Sequence, residues 1–219
     1  MNWEPLYLSI KLALFTMLLM PCIAFPPAYF LAFSKRRGKC LLDAFVTLPM
    51  VIPPTVLGFG LLVVMAPSGV VGSLWEGATG ERLIFSFSGI LMASLVFNLP
   101  FAVQPLRASF EKIDKRLLDS AAVLGLSPLQ TFYRVIIPNC LSGIAASAIL
   151  VFAHSLGEFG VILMVGGSIP GQTQVASIAI FEAVEALRFT DAVYMSAALV
   201  PVSFVFLIFI NILNGKQHR

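Results

Sequence analysis

LALFTMLLMPCIAFPPAYFLAF, from Leu12 to Phe33, carries no charged side chain and no two-residue alternation of apolar and polar groups. A hydrocarbon layer roughly 30 Å thick takes about 20 helical residues to cross, so this stretch is long enough to span a membrane. Lipid offers no hydrogen-bond partner to a bare backbone, and the missing alternation argues against a barrel strand, so the segment is expected to be helix. Four more apolar runs are long enough to cross: Ala44 to Met65, Leu83 to Leu106, Cys140 to Val165, which holds the single acid Glu158, and Ala192 to Leu213. The expected fold is an all-α integral membrane protein with five transmembrane helices. A sixth apolar segment, Val175 to Leu187, is shorter and carries Glu182 and Glu185. It is expected on the outer face or as a shallow re-entrant helix, which leaves six as the alternative count.

The whole chain agrees with this reading. Its 219 residues are 58% hydrophobic and 11% charged, with a mean hydropathy of +0.94, outside the range a solvated globular domain carries. Short loops rich in Lys and Arg mark the cytoplasmic side of a membrane protein. Lys35, Arg36, Arg37 and Lys39 form one such cluster, Arg107, Lys112, Lys115, Arg116 and Arg134 a second, and Lys216 with Arg219 a third. Five spans place all three clusters on one side, with the N-terminus outside and the C-terminus in the cytoplasm. Glu4, Glu76, Glu81, Glu182, Glu185 and Asp191 then fall on the outer side. The net charge of +3 therefore reports topology and not nucleic-acid binding. Glu4 and the length of the first apolar run argue for a retained span and not a cleaved signal. The odd cysteine count, with Cys22, Cys40 and Cys140 in different settings, argues against a structural disulfide.

No linker, low-complexity tract or repeat divides the chain, so residues 1–219 read as one domain. Prolines interrupt the spans: Pro21, Pro26 and Pro27 in the first, Pro49, Pro53 and Pro54 in the second, Pro100 and Pro105 late in the third. Each removes a backbone donor and crowds the preceding turn, so kinks are expected there. The Gly-rich stretch Ala66 to Arg82, with Trp75 at headgroup level, reads as an outer loop.

Between the third and fourth spans, about residues 107–138, the chain changes character. Asp114 can cap a short helix that carries Leu117, Leu118, Ala121, Ala122 and Leu124, and Gly125 suits the position just past its end. Ser127-Pro128 then reads as the cap and first residue of a second helix running to Pro138. This helix–turn–helix elbow has the shape of a docking knob: small residues admit a partner closely and leucines fill a groove.

Here a resemblance becomes specific. Asp119-Ser120-Ala121-Ala122-Val123-Leu124-Gly125, followed by Val135-Ile136-Ile137-Pro138, resembles the EAA loop of ABC-importer permeases, with Ser120 where that family usually carries Glu. Leu48-Pro49-Met50-Val51-Ile52-Pro53-Pro54-Thr55-Val56-Leu57-Gly58-Phe59 resembles the molybdate and tungstate permeases. So does Ser155-Leu156-Gly157-Glu158-Phe159-Gly160 with Gly166-Gly167-Ser168-Ile169-Pro170-Gly171-Gln172-Thr173-Gln174; sulfate permeases share a looser form of it. The resemblance implies an elbow seated in a cytoplasmic ATPase through Leu117, Asp119, Ser120, Ala121, Ala122, Leu124, Gly125 and Pro138. It implies molybdate or tungstate as cargo, with sulfate or thiosulfate as the alternative.

The remaining chemistry fits a non-catalytic permease. No G-x-x-x-x-G-K-[ST] phosphate cradle is present, so two copies of a partner ATPase are expected to supply hydrolysis. Five spans enclose a path poorly, so a second copy of the chain is expected. Span interiors hold no Lys or Arg apart from Lys11 near the outer end, so a divalent oxyanion meets no fixed cation at mid-membrane. Selectivity is then left to an external oxyanion-binding protein, and polar groups such as Ser88, Asn98, Gln104 and Ser155 are candidates to line a weak path. Pro53, Pro54, Thr55, Ser155 and Glu158 are the gate or pathway candidates. Glu158 follows His154 by one turn, a spacing that suits a hydrogen-bonded brace, a gate, or the acid–base pair of an intramembrane hydrolase. Against the hydrolase stand the missing H-E-x-x-H and G-x-S-x-G motifs. An ion-coupled secondary transporter is disfavoured by the lack of repeated halves and of more ionisable groups in the spans. No catalytic, cofactor or metal site is expected.

Overall fold

A computed structural model describes residues 3–215, and the elements assigned among them are all helical. Lys216 and Arg219, which complete the third basic cluster, lie outside the described residues. Helix α1 (Glu4–Phe33), α5 (Phe87–Glu111) and α9 (Leu141–Gly157) pack on one another as the centre of the molecule. Ala24, Ala28 and Leu31 of α1 meet Ala102, Val103 and Leu106 of α5, all fully buried. Small residues at such contacts let helix backbones approach, which drives association where lipid removes the hydrophobic incentive.

Two helices, α1 and α5, are each long and apolar enough to cross a membrane. The second expected span is instead two helices, α2 (Lys39–Val51) and α3 (Pro54–Met65), bent by 111°. Pro53 and Pro54 remove two consecutive backbone donors, and each holds the residue before it extended, with ψ 137° at Ile52 and 135° at Pro53. Pro54 then opens α3 at the position where a missing N–H costs nothing. The other six span prolines behave differently: Pro21, Pro26, Pro27, Pro49, Pro100 and Pro105 all sit inside helices.

Three expectations require correction. The stretch Cys140 to Val165 is not one helix: α9 stops at Gly157, Glu158 and Phe159 are non-helical, and α10 resumes over Gly160–Gly166. No proline causes this break. Glycines on either side weaken the helix, and the Glu158 carbonyl released by the break accepts from Ser177 Oγ at 2.7 Å. The outer stretch Ala66 to Arg82 is not wholly loop, since it holds α4 (Val70–Thr79). The elbow begins later than residue 107, because α5 continues to Glu111.

The elbow otherwise follows its local signals. In α6 (Lys115–Val123) the Asp114 carboxylate accepts from Arg116 N at 2.9 Å. The helix ends with Gly125 N on Ala122 O and Leu126 N on Ala121 O, both 3.0 Å, with Gly125 at φ +70°. That paired closure needs a left-handed residue after the cap, which is what glycine supplies. Ser127 and Gln130 form a reciprocal capping box on α7 (Pro128–Thr131). A π-helical turn over Phe132–Ile136 follows, then α8 (Ile137–Asn139). Pro138 has no N–H to give to a carbonyl one turn back, and next to it Asn139 Nδ2 donates to Val135 O at 2.7 Å. This run meets α9 at 72°.

At the opposite end of α9, α10 lies on α3 at close range. A Cβ on Gly58 would sit 2.8 Å from Met164 Cβ, and one on Gly160 3.1 Å from Pro54 Cβ. The short α11 (Ala176–Glu185) has Ala176 N donating to Ser9 Oγ of α1 at 2.8 Å, and α12 (Phe189–Gly215) packs on α11 and α9.

Candidate functional site

The α2–α3 corner and the α9–α10 break face each other. A cavity of about 570 Å³ between them is lined by Pro54, Thr55, Phe97, Ala153, His154, Gly157, Glu158, Phe159 and Gly160. Three of the five gate or pathway candidates, Pro54, Thr55 and Glu158, are thus brought to one space, with Pro53 as the cap of α3 beside them. Ser155 is buried behind it, 3.4 Å from Ser94 Oγ.

Glu158 is only 4% exposed and reaches back into α5. Its Oε2 accepts from Ser94 Oγ at 2.9 Å and from Asn98 Nδ2 at 3.3 Å, while Oε1 is buried without a hydrogen-bond partner. Ser94 Oγ in turn accepts from Thr16 Oγ1 of α1 at 3.2 Å. Of the readings open for His154 and Glu158, a direct hydrogen bond between the two is not what forms. Asn98 stands between them: its Nδ2 also donates to Ser94 O, so its Oδ1 is the acceptor, 3.0 Å from His154 Nδ1. The imidazole therefore donates from Nδ1, and its ring stacks on Phe101 with centroids 4.0 Å apart. Because the helix breaks at Glu158, its side chain leaves the face that one-turn spacing assigned it.

Ser94 and Thr16 escaped the sequence reading. Their signal was present, since Ser94 and Asn98 are polar residues one turn apart on an otherwise apolar face of α5. Of the other polar candidates, Gln104 does not border the cavity; its Nε2 donates to Thr47 Oγ1 of α2 at 3.3 Å. Among the described residues no group of three or more His, Cys, Asp or Glu side chains gathers as a metal site would require.

The elbow, the second candidate site, lies apart from this cavity. Leu117, Asp119, Ser120, Ala122, Leu124, Gly125 and Pro138 are all exposed, and beside them Val123 is 88% and Leu124 77% exposed. Ala121 departs from its expected place on the docking face, because it is 2% exposed and turned into its own chain. Leu118 and Phe132 pack on the core formed by Phe110, Ile113 and Ile136.

Residues 24–219 match the family of binding-protein-dependent transport system inner membrane components. The chain belongs to this family. As an inner-membrane transport component it is similar to the molybdenum transport system permease protein ModB of Azotobacter vinelandii, 42% identical over 91% of this chain and 88% of that protein. It is 32% identical to ModB of Escherichia coli over 84% of this chain and 80% of that one. A probable sulfate transport system permease protein of Helicosporidium is 33% identical over 95% of this chain and 77% of its own length. The crystal structure of a bacterial ABC transporter involved in alginate import superposes with a TM-score of 0.80, covering 99% of this chain and 79% of that chain at 18% identity, a likeness of fold. This component is accordingly a multi-pass inner-membrane protein and not itself an ATPase.

Proposed function

We propose that this chain is the membrane-spanning subunit of an ATP-driven importer for molybdate, or tungstate, that works by alternating access. The observation that carries this is the 42% identity to a molybdenum permease across nearly the whole chain, against 33% to a sulfate permease. The cavity supports it from the structural side, because the two stretches that resemble molybdate permeases supply Pro54, Thr55, Gly157, Glu158, Phe159 and Gly160 of its lining. In this reading two copies of the chain face each other across the path, two ATPases sit on the elbows, and an external binding protein delivers the oxyanion. One structural neighbour is itself a transporter in complex with a ligand-bound periplasmic protein.

Five spans suit this architecture: α1, α2–α3, α5, α9–α10 and α12, with α11 on the outer face. The C-terminal ends of α1 and α5, the start of α2 and the elbow carry Lys35, Arg36, Arg37, Lys39, Lys112, Lys115, Arg116 and Arg134, which supports the reading that these ends face the cytoplasm. Cys40 is exposed beside this cluster, whereas Cys140 is buried. A membrane-impermeant thiol reagent should therefore label Cys40 in inside-out vesicles and leave it untouched in intact cells. Labelling in intact cells would invert the topology.

Sulfate is the competing cargo. Uptake of molybdate by vesicles holding the full transporter should withstand equimolar sulfate and fall with equimolar tungstate. Equal competition by sulfate would transfer the assignment to sulfate.

A further inference from the structure

Helix α2 is fastened to α5 by two polar contacts stacked one turn apart, neither of which borders the central cavity. Arg107 Nη1 meets Asp43 Oδ2 at 2.9 Å, and Gln104 Nε2 meets Thr47 Oγ1 at 3.3 Å, with Thr47 Oγ1 donating to Asp43 O at 2.8 Å. The same guanidinium turns its Nε to Glu111 Oε1 at 2.9 Å, in the last turn of α5, three residues before the Asp114 cap of the elbow. Arg107 thus holds both the start of α2 and the segment that runs into the elbow. At the far end of α2, the Ile52–Pro53 corner sets where Pro54 and Thr55 stand on the cavity. Asp43 Oδ1 is buried without a partner, so the carboxylate depends on Arg107.

We infer that Arg107 is a positioning residue through which movement of the elbow reaches the α2–α3 corner and with it the cavity wall. This rests on the reading of the chain as an ATP-driven permease. A forked guanidinium suits the task, because it holds two carboxylates on different elements in one fixed plane. Packed side chains and hydrogen-bond or salt-bridge networks of this kind can carry coupling between distant sites when they have two arrangements. The apolar seat of α2 is separate: Val46 is 1% exposed against Ala102, Val103 and Leu106, so α2 stays docked when the charges are removed.

The test uses the assembled transporter with its ATPase, carrying Thr55→Cys in a background where Cys22, Cys40 and Cys140 are serine. Trapping ATP in the ATPase should change the rate at which a soluble thiol reagent modifies position 55. The double variant Asp43→Asn with Arg107→Gln strands no buried charge, because Glu111, the other partner of Arg107, has a side chain 43% exposed to water. It should assemble and hydrolyse ATP as the parent does, lose the ATP dependence of labelling, and take up about tenfold less oxyanion per ATP, within the usual span of coupling energies. Arg107→Lys, which keeps the charge and loses the fork, should fall between. ATP-dependent labelling of the double variant equal to the parent's overturns the inference. So does a loss of uptake that merely tracks a loss of assembled complex. If the parent itself shows no ATP dependence, the permease reading fails, and this inference fails with it.

Discussion

Replacing Ala122 by arginine should leave the membrane subunit folded and abolish productive contact with the proposed ATPase partner. Ala122 is exposed on α6, so in the isolated subunit the new side chain extends into water and disturbs nothing. Its neighbours Val123 and Leu124 are among the most exposed large apolar groups in the chain. On the cytoplasmic knob proposed above, an adjacent exposed apolar pair suits coverage by a partner. Against a docked ATPase, overpacking at Ala122 costs about 1–3 kcal/mol, and burial of an unpaired charge adds to it. Co-purification of the ATPase and its substrate-stimulated turnover should both collapse, while the amount and thermal stability of the subunit in detergent hold. The same change at Ala121 should instead destabilise the subunit itself, because that methyl faces inward. Wild-type ATPase binding and turnover in Ala122→Arg would mean that α6 docks nowhere near Ala122.

The second large effect is at Glu158. Its carboxylate joins the α9–α10 break to Ser94 and Asn98 of α5, and through Ser94 to Thr16 of α1. Glu158→Ala removes the acceptor from Ser94, and a buried donor left unsatisfied costs about 1–3 kcal/mol. Asn98 keeps Ser94 O as a partner, so the loss stays local. With the brace gone, the cavity wall formed by Gly157, Glu158, Phe159 and Gly160 loses its fixed position, and uptake should fall by about tenfold, the equivalent of roughly 1.4 kcal/mol in a barrier. Glu158→Gln keeps an acceptor oxygen for Ser94 and should recover most of both stability and uptake. Thermal unfolding in detergent and uptake by vesicles read the two quantities separately. Unchanged uptake and stability in Glu158→Ala would remove the brace from the account.

What could be read ahead of the structure was what is encoded locally. Asp114, Gly125 and Ser127-Pro128 each satisfy or release backbone groups within one turn, and each is found where its chemistry places it. The corner at Pro53-Pro54 was legible for the same reason, although two prolines in series make a bend of 111° where a kink was expected. The break at Glu158 was not legible. Gly157 and Gly160 only weaken a helix, and what holds the broken form is Ser177, 19 residues away, on the freed carbonyl. The Asp43–Arg107 pair, separated by 64 residues, was hidden because each lies near a helix end, Asp43 on α2 and Arg107 on α5, where a solvated charge is the ordinary expectation. Ala121 and Ala122 look alike in sequence, and only the packing of α6 on the π-turn separates an inward from an outward methyl.

ATP hydrolysis by the purified transporter, rebuilt in lipid with its ATPase and external binding protein, tests the central claim most directly. The rate should rise when the binding protein is loaded with molybdate or tungstate and stay basal when it is empty or offered sulfate. Stimulation by sulfate alone, or no response to any loaded oxyanion, would contradict the assignment of this chain to molybdate import.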